Sequence, residues 1–232
     1  MSSDAKVQVL QGDPGEFDLS FKLIVIGDSF VGKSCLSIKA SKGLYEDNYN
    51  PTIGFEFLTF FVKIEDVNIK LQIWDTCGQE VYRSLISSFY HNSSLALLVY
   101  SIDNKNSFEN LEAWLNEIKT LGNPGIIIFL IGNKADLEEK REVSKEMGEE
   151  FCKNNNMKLF FETSAKTGFN AQNVFIEAAK LLYLKHLELK DYTTRPDSIN
   201  YLMGRESETK NIIMENNGET EENDKKRKKK CC

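Results

Sequence analysis

The chain has 232 residues, 41% of them hydrophobic and 28% charged, and its 29 Lys and Arg against 35 Asp and Glu give a net charge of −6. That apolar fraction excludes a disordered or fibrous chain, and the acid excess excludes a generally basic, nucleic-acid-coating surface. The longest apolar runs, 95–100 and 126–131, fall far short of the about 20 residues that cross a bilayer. Residues 1–18 hold acids and no apolar run of the secretory-signal kind. Five cysteines, three scattered at Cys35, Cys77 and Cys152 and two adjacent at Cys231 and Cys232, make no disulfide framework. A reduced, intracellular protein is the expectation.

In chain order, residues 1–19 contain Gly12, Pro14 and Gly15 and read as a flexible lead-in. From 20 to 187, strand-like and helix-like stretches alternate. Strands are predicted at 22–26, 55–64, 69–74, 95–100, 126–131 and 158–161, several as continuous apolar runs suited to parallel strands covered on both faces. Phe108, Leu111, Leu115 and Ile118 keep one-face helical spacing behind a cap at Ser107. Val174, Phe175, Ala178, Leu181 and Leu182 do the same behind Asn170. The alternation predicts one α/β domain, an open sheet of six mostly parallel strands flanked by about five helices. Residues 188–232 lose the pattern, with five acids between Glu215 and Asp224 and then six bases from Lys225 to Lys230. They read as a disordered, solvated tail.

Chemistry enters at Gly27-Asp28-Ser29-Phe30-Val31-Gly32-Lys33-Ser34, which fills the phosphate-loop pattern G-x-x-x-x-G-K-[ST], with Cys35 following. The glycines let backbone N–H groups curl around an anion at a helix N-terminus. Lys33 would reach the β- and γ-phosphates, and the Ser34 hydroxyl would bind Mg²⁺. ATPase, kinase and GTPase all remain open at this point. Asn133-Lys134-Ala135-Asp136 narrows the choice, because a carboxylate at Asp136 can accept from the N1–H and exocyclic amine of guanine. Adenine offers no such donors and would leave a buried charge unpaired. Ser164-Ala165-Lys166 follows the last predicted strand, at the carboxyl edge where α/β sheets bind ligands.

With these motifs in order, the sequence resembles the Ras superfamily of small GTPases over about residues 20–187, and within it the Rab family. The Rab-like stretches are Ile53-Gly54-Phe55-Glu56-Phe57, Lys70-Leu71-Gln72-Ile73-Trp74-Asp75-Thr76, Tyr82-Arg83-Ser84 and Leu98-Val99-Tyr100. The resemblance implies a phosphate-loop G domain that binds GTP and GDP with Mg²⁺. Asn133, Lys134 and Asp136 would read guanine, the backbone at Ala165 between Ser164 and Lys166 would support its oxygen, and Tyr45 would stack on it edge-on. Asp75 would hold Mg²⁺ through a water, Thr52 would complete the metal shell in the GTP state, and the Gly78 N–H would sense the γ-phosphate. Gln79 occupies the place of the residue that orients attacking water. Arg83 reads as a switch-surface residue, so unaided hydrolysis should be slow. Ile53, Phe57, Trp74 and Phe89 would face effectors.

The terminal Cys231-Cys232 does not fit the C-a-a-X form and instead resembles the Rab signal for two geranylgeranyl groups. The implied partners are an exchange factor, a GAP, an escort protein, a GDP-dissociation inhibitor and effectors, with no nucleic acid and a monomeric chain. The implied location is the cytosolic face of intracellular membranes. Two alternatives stand beside this reading: a guanine-nucleotide module with impaired hydrolysis, and a phosphate-loop kinase or ATPase of another class. Four stretches depart from the family pattern. Phe30 and Cys77 lie near the phosphates and bear on hydrolysis. Tyr90-His91-Asn92-Ser93-Ser94 and Ser101-Ile102-Asp103 read as lying off the phosphate site.

Overall fold

Side chains at 23–26 and 95–101 are all buried. Such runs fit only the middle of a sheet covered on both faces. The computed structural model describes residues 6–45, 52, 54–78 and 89–194, the last four by backbone alone. Seven strands form one sheet: β1 (Val7–Leu10), β2 (Leu19–Ile26), β3 (Phe55–Ile64), β4 (Val67–Thr76), β5 (Leu95–Ser101), β6 (Ile127–Asn133) and β7 (Leu159–Glu162). Their order is β1-β3-β4-β2-β5-β6-β7. Pairs β2–β4, β2–β5, β5–β6 and β6–β7 are parallel, whereas β3 runs antiparallel to both β4 and β1.

Five α-helices accompany them among the described residues: α1 (Lys33–Lys42), α2 (Lys105–Glu109), α3 (Leu111–Leu121), α4 (Lys145–Asn154) and α5 (Ala171–Thr194). One face of the sheet buries Ile24, Ile26 and Leu98 against Leu111, Leu115 and Ile118 of α3. The chain separates into a compact unit ending at Leu182 and a second beginning at Tyr183. The second is described as far as Thr194, and there it is helical.

The sheet has seven strands rather than six, because the lead-in supplies β1. Val7, Gln8, Val9 and Leu10 pair with Ile64, Lys63, Val62 and Phe61. Two β-branched residues favour the extended state, but the pairing partner lies more than fifty residues away, beyond any local signal. The helix predicted behind Ser107 is two helices. Asn104 caps α2 by accepting from Ser107 N at 3.1 Å, while the Ser107 hydroxyl accepts from Ser101 N at 3.0 Å. Asparagine and serine are comparable caps, so composition does not separate them. Helix α5 continues past 187 into the stretch read as tail, since no Gly or Pro interrupts 171–194 and Leu, Glu and Lys are strong helix formers.

Candidate functional site

Strands β2, β4, β5, β6 and β7 run in one direction, so the loops after their carboxyl ends share one edge of the sheet. After β2 the chain turns through Gly27 (φ 139°), Phe30 (φ 64°) and Gly32 (φ 89°) into α1. Glycine is required at the first and last of these. A Cβ on Gly27 would lie 2.1 Å from the Val99 carbonyl oxygen, and one on Gly32 would lie 2.5 Å from Asn133 Nδ2. Phe30 has no such excuse. It sits in the left-handed region, which costs an L-residue about 1–2 kcal/mol, with 77% of its surface exposed.

Lys33 is buried, and its Nζ donates to the carbonyls of Gly27 at 2.9 Å and Asp28 at 2.7 Å. Burial lowers its pKa to about 8 despite the opposing field of Asp75. Ser34 Oγ lies 2.6 Å from Thr52 Oγ1 and donates to Asp75 Oδ2. Burial raises the Asp75 pKa to about 7, with the Ser34 bond and Lys33 only partly offsetting it. The other carboxylate oxygen, Asp75 Oδ1, is buried with no hydrogen-bond partner. An orphaned buried acceptor beside two hydroxyls is an all-oxygen donor set of the kind Mg²⁺ takes. Among the described residues no group of three or more His, Cys, Asp or Glu offers a competing metal centre. Ser34, Thr52 and Asp75 would therefore hold Mg²⁺, which when bound neutralises phosphate oxygens.

Gly78, just after β4, packs on the phosphate loop so closely that a Cβ would lie 2.3 Å from Asp28 C and Ser29 N. Cys77 is buried, and its N–H donates to the Gly54 carbonyl at 3.0 Å, tying the entry of β3 to the exit of β4. Ser29 and Cys35 are half-buried on the same loop and helix, and Val31 is fully buried.

At the other end of the edge, Asn133 is 1% exposed and acts as a brace. Its Nδ2 donates to the Val31 and Gly32 carbonyls at 2.9 and 3.3 Å, and its Oδ1 accepts from Thr163 Oγ1 at 3.0 Å. Through these bonds Asn133 joins the phosphate loop to the base loops. Exposed Asp136 accepts from the buried Ser164 hydroxyl, which itself accepts from Thr167 N. Lys134 adopts φ 63°, and its Nζ lies 3.6 Å from Asp103 Oδ1. Ala165 is buried and Lys166 exposed. Tyr45 is half-buried, two residues beyond the glycine that ends α1.

Phe57 of β3, Trp74 of β4 and Phe89 form a contiguous aromatic face, with ring centroids 5.3 Å apart for the first pair and 4.9 Å for the second. Phe55 joins it at 5.4 Å from Trp74 and 4.7 Å from Phe89, and Lys22 Nζ lies 5.0 Å from the Trp74 ring centre. The Trp74 indole nitrogen is buried without a partner. Ile53, Gln79, Arg83, Cys231 and Cys232 lie outside the described residues. The sequence reading missed Thr163, Phe55 and Asp103. Asp103 stands in a segment read as lying off the phosphate site, and it pairs with Lys134 of the base loop. Thr163 adjoins the Ser-Ala-Lys motif, so its position was available as a hint.

A phosphate loop on β2, an oxygen cluster of metal-binding type and a carboxylate-bearing base loop after β6 define a phosphate-loop protein of the guanine-nucleotide-binding class. The Ras family model matches residues 22–184 of the chain. The protein belongs to the Ras family, and its α/β domain is a Ras-family G domain, the module of small GTPase switches.

Proposed function

We propose that this chain is a Rab-type switch that hydrolyses GTP and recruits effectors in vesicle trafficking. The observation that carries the reading is the aromatic face of Phe57, Trp74 and Phe89, whose Trp74 adjoins Asp75 in the chain. Strand β3 begins three residues after Thr52, and Asp75 directly follows Trp74. A change in the contacts of Thr52 or Gly78 is thus connected through a few peptides to a half-exposed aromatic surface, with Phe57 46% exposed. Two-state loops feeding an aromatic patch make an effector-reading device. Gln79 orients the attacking water, and geranylgeranyl groups on Cys231 and Cys232, helped by the Lys225 to Lys230 run, hold the chain on the cytosolic face of a membrane. Exchange factor, GAP, escort protein and dissociation inhibitor act on the switch and the lipids.

Single-turnover assays with GTP and with ATP test the enzyme reading, with Gln79→Leu as the internal control. GTP hydrolysis that slows in the variant while binding persists is expected. Tight GTP binding without turnover in the parent, with or without a GAP, would leave a binding switch instead. Fractionation of the parent beside a Cys231→Ser, Cys232→Ser double variant tests the anchor, and equal membrane retention of the two would overturn it.

A further inference from the structure

Asp28 is the first variable residue of the phosphate loop, and its side chain is engaged away from it. Its Oδ1 accepts from Trp114 Nε1 at 2.7 Å and its Oδ2 from Asn110 Nδ2 at 2.7 Å. Both donors belong to the start of α3, 86 and 82 residues further along the chain. Trp114 is 1% exposed and packs with Leu98, Leu111 and Ile118, so its N–H is a donor fixed by the core. Hydrogen bonds to a carboxylate are charge-assisted, and two converging ones fix its orientation.

The main chain of the same residue is equally committed. Asp28 O accepts from Lys33 Nζ at 2.7 Å, and Gly78 closes on the Asp28–Ser29 peptide. One peptide thus meets the phosphate-reaching lysine on one side and the switch glycine on the other, and its carboxylate is anchored to α3. Two residues on, the loop carries Phe30 at φ 64°, a conformation that persists only where the surroundings over-determine it.

We propose that Asp28, Asn110 and Trp114 form a positioning clamp that fixes the first peptide of the phosphate loop against α3 and so sets how fast a guanine nucleotide leaves. The inference rests on the guanine-nucleotide reading above. Asp28 acts here through its own backbone and Lys33, and α3 becomes a further element, beside the residues Thr52 and Gly78, on which nucleotide retention depends.

The test measures release of a fluorescent GDP analogue from the Mg²⁺-loaded full chain. Asn110→Asp sets a carboxylate against a carboxylate and should speed release about tenfold, the scale of one charge-assisted hydrogen bond. Trp114→Phe removes the N–H together with part of a buried ring, so its melting temperature is read beside its release rate, and release should move in the same direction. The exchange Asp28→Asn with Asn110→Asp rebuilds both bonds with the roles reversed. The amide now at position 28 would accept from Trp114 and donate to the carboxylate now at position 110, and release should return to within about threefold of the parent. Release at the parent rate in Asn110→Asp and Trp114→Phe, or a double variant as fast as Asn110→Asp, would overturn the clamp. So would a loss of melting temperature in the single variants with unchanged release, which is what a merely structural role produces. A parent that loads no GDP analogue would overturn the nucleotide reading itself, and the clamp with it.

Discussion

The two ends of the candidate nucleotide site are built on opposite terms. At the base end the chain satisfies itself: Asn133, Thr163, Ser164 and Asp136 bond to one another and to the phosphate-loop carbonyls. At the phosphate end it does so only in part, through the bonds of Lys33 and Ser34. Asp75 Oδ1 has no partner, burial pushes the Asp75 pKa up to about 7 and the Lys33 pKa down to about 8, and α1 begins without a side-chain cap. The difference teaches where the ligand's free energy enters. The base loops are prepared before anything binds. The phosphate loop and the Ser34–Thr52–Asp75 cluster carry buried charge that a cation and an anion would satisfy further. That division suits a switch, because the half that is unfinished without its ligand is the half that can report on a phosphate.

The comparison can be broken most forcefully at Asp136. Asp136→Asn removes the carboxylate that two guanine donors require, and GTP affinity should fall about 10²–10⁴-fold, two charged hydrogen bonds' worth. Xanthine nucleotides, with an oxygen in place of the amine, should gain in the same competition assay. Equal competition by ATP and GTP for the parent would remove the base end from the account altogether. Next in size is Asn133→Ala. It strips the Val31 and Gly32 carbonyls and the Thr163 hydroxyl of a buried partner and should lower unfolding free energy by about 2–3 kcal/mol. A urea midpoint measured without nucleotide checks it, and because the brace is part of the prepared end, the loss should appear without ligand. The smallest effect belongs to Asp103→Asn. The Lys134 pair is partly exposed at 3.6 Å, so stability should change by less than about 1 kcal/mol in the same titration.

Much of this was legible in the sequence, for identifiable reasons. The phosphate loop, the Asn-Lys-x-Asp run and Ser-Ala-Lys are contiguous, and the buried strands announce themselves as apolar runs. What escaped depends on contacts distant in sequence. Strand β1 is four residues long and owes its existence to the edge of β3. Asn133 reads locally as a base-contacting residue, and the further ties of its amide to carbonyls more than 100 residues upstream leave no local trace. The carboxylate of Asp28 meets donors on α3 that no spacing rule connects to a glycine-rich loop. Ser101-Ile102-Asp103 was visible only as a departure, and its tie to Lys134 appears once β5 and β6 lie side by side.

Asp75→Asn tests most directly the claim that the phosphate end is completed by its ligands. The variant keeps the side chain's size and an acceptor for Ser34 but removes the buried charge. Without nucleotide, its melting temperature should equal or exceed the parent's. With Mg²⁺ and GDP at about 1,000 times the parent Kd, the parent should gain about 4 kcal/mol, roughly 8–16 °C for a domain of this size, and the variant far less. An Asp75→Asn chain that melts lower than the parent by the same amount with and without Mg²⁺–GDP would contradict the account, since Asp75 would then be an ordinary structural carboxylate.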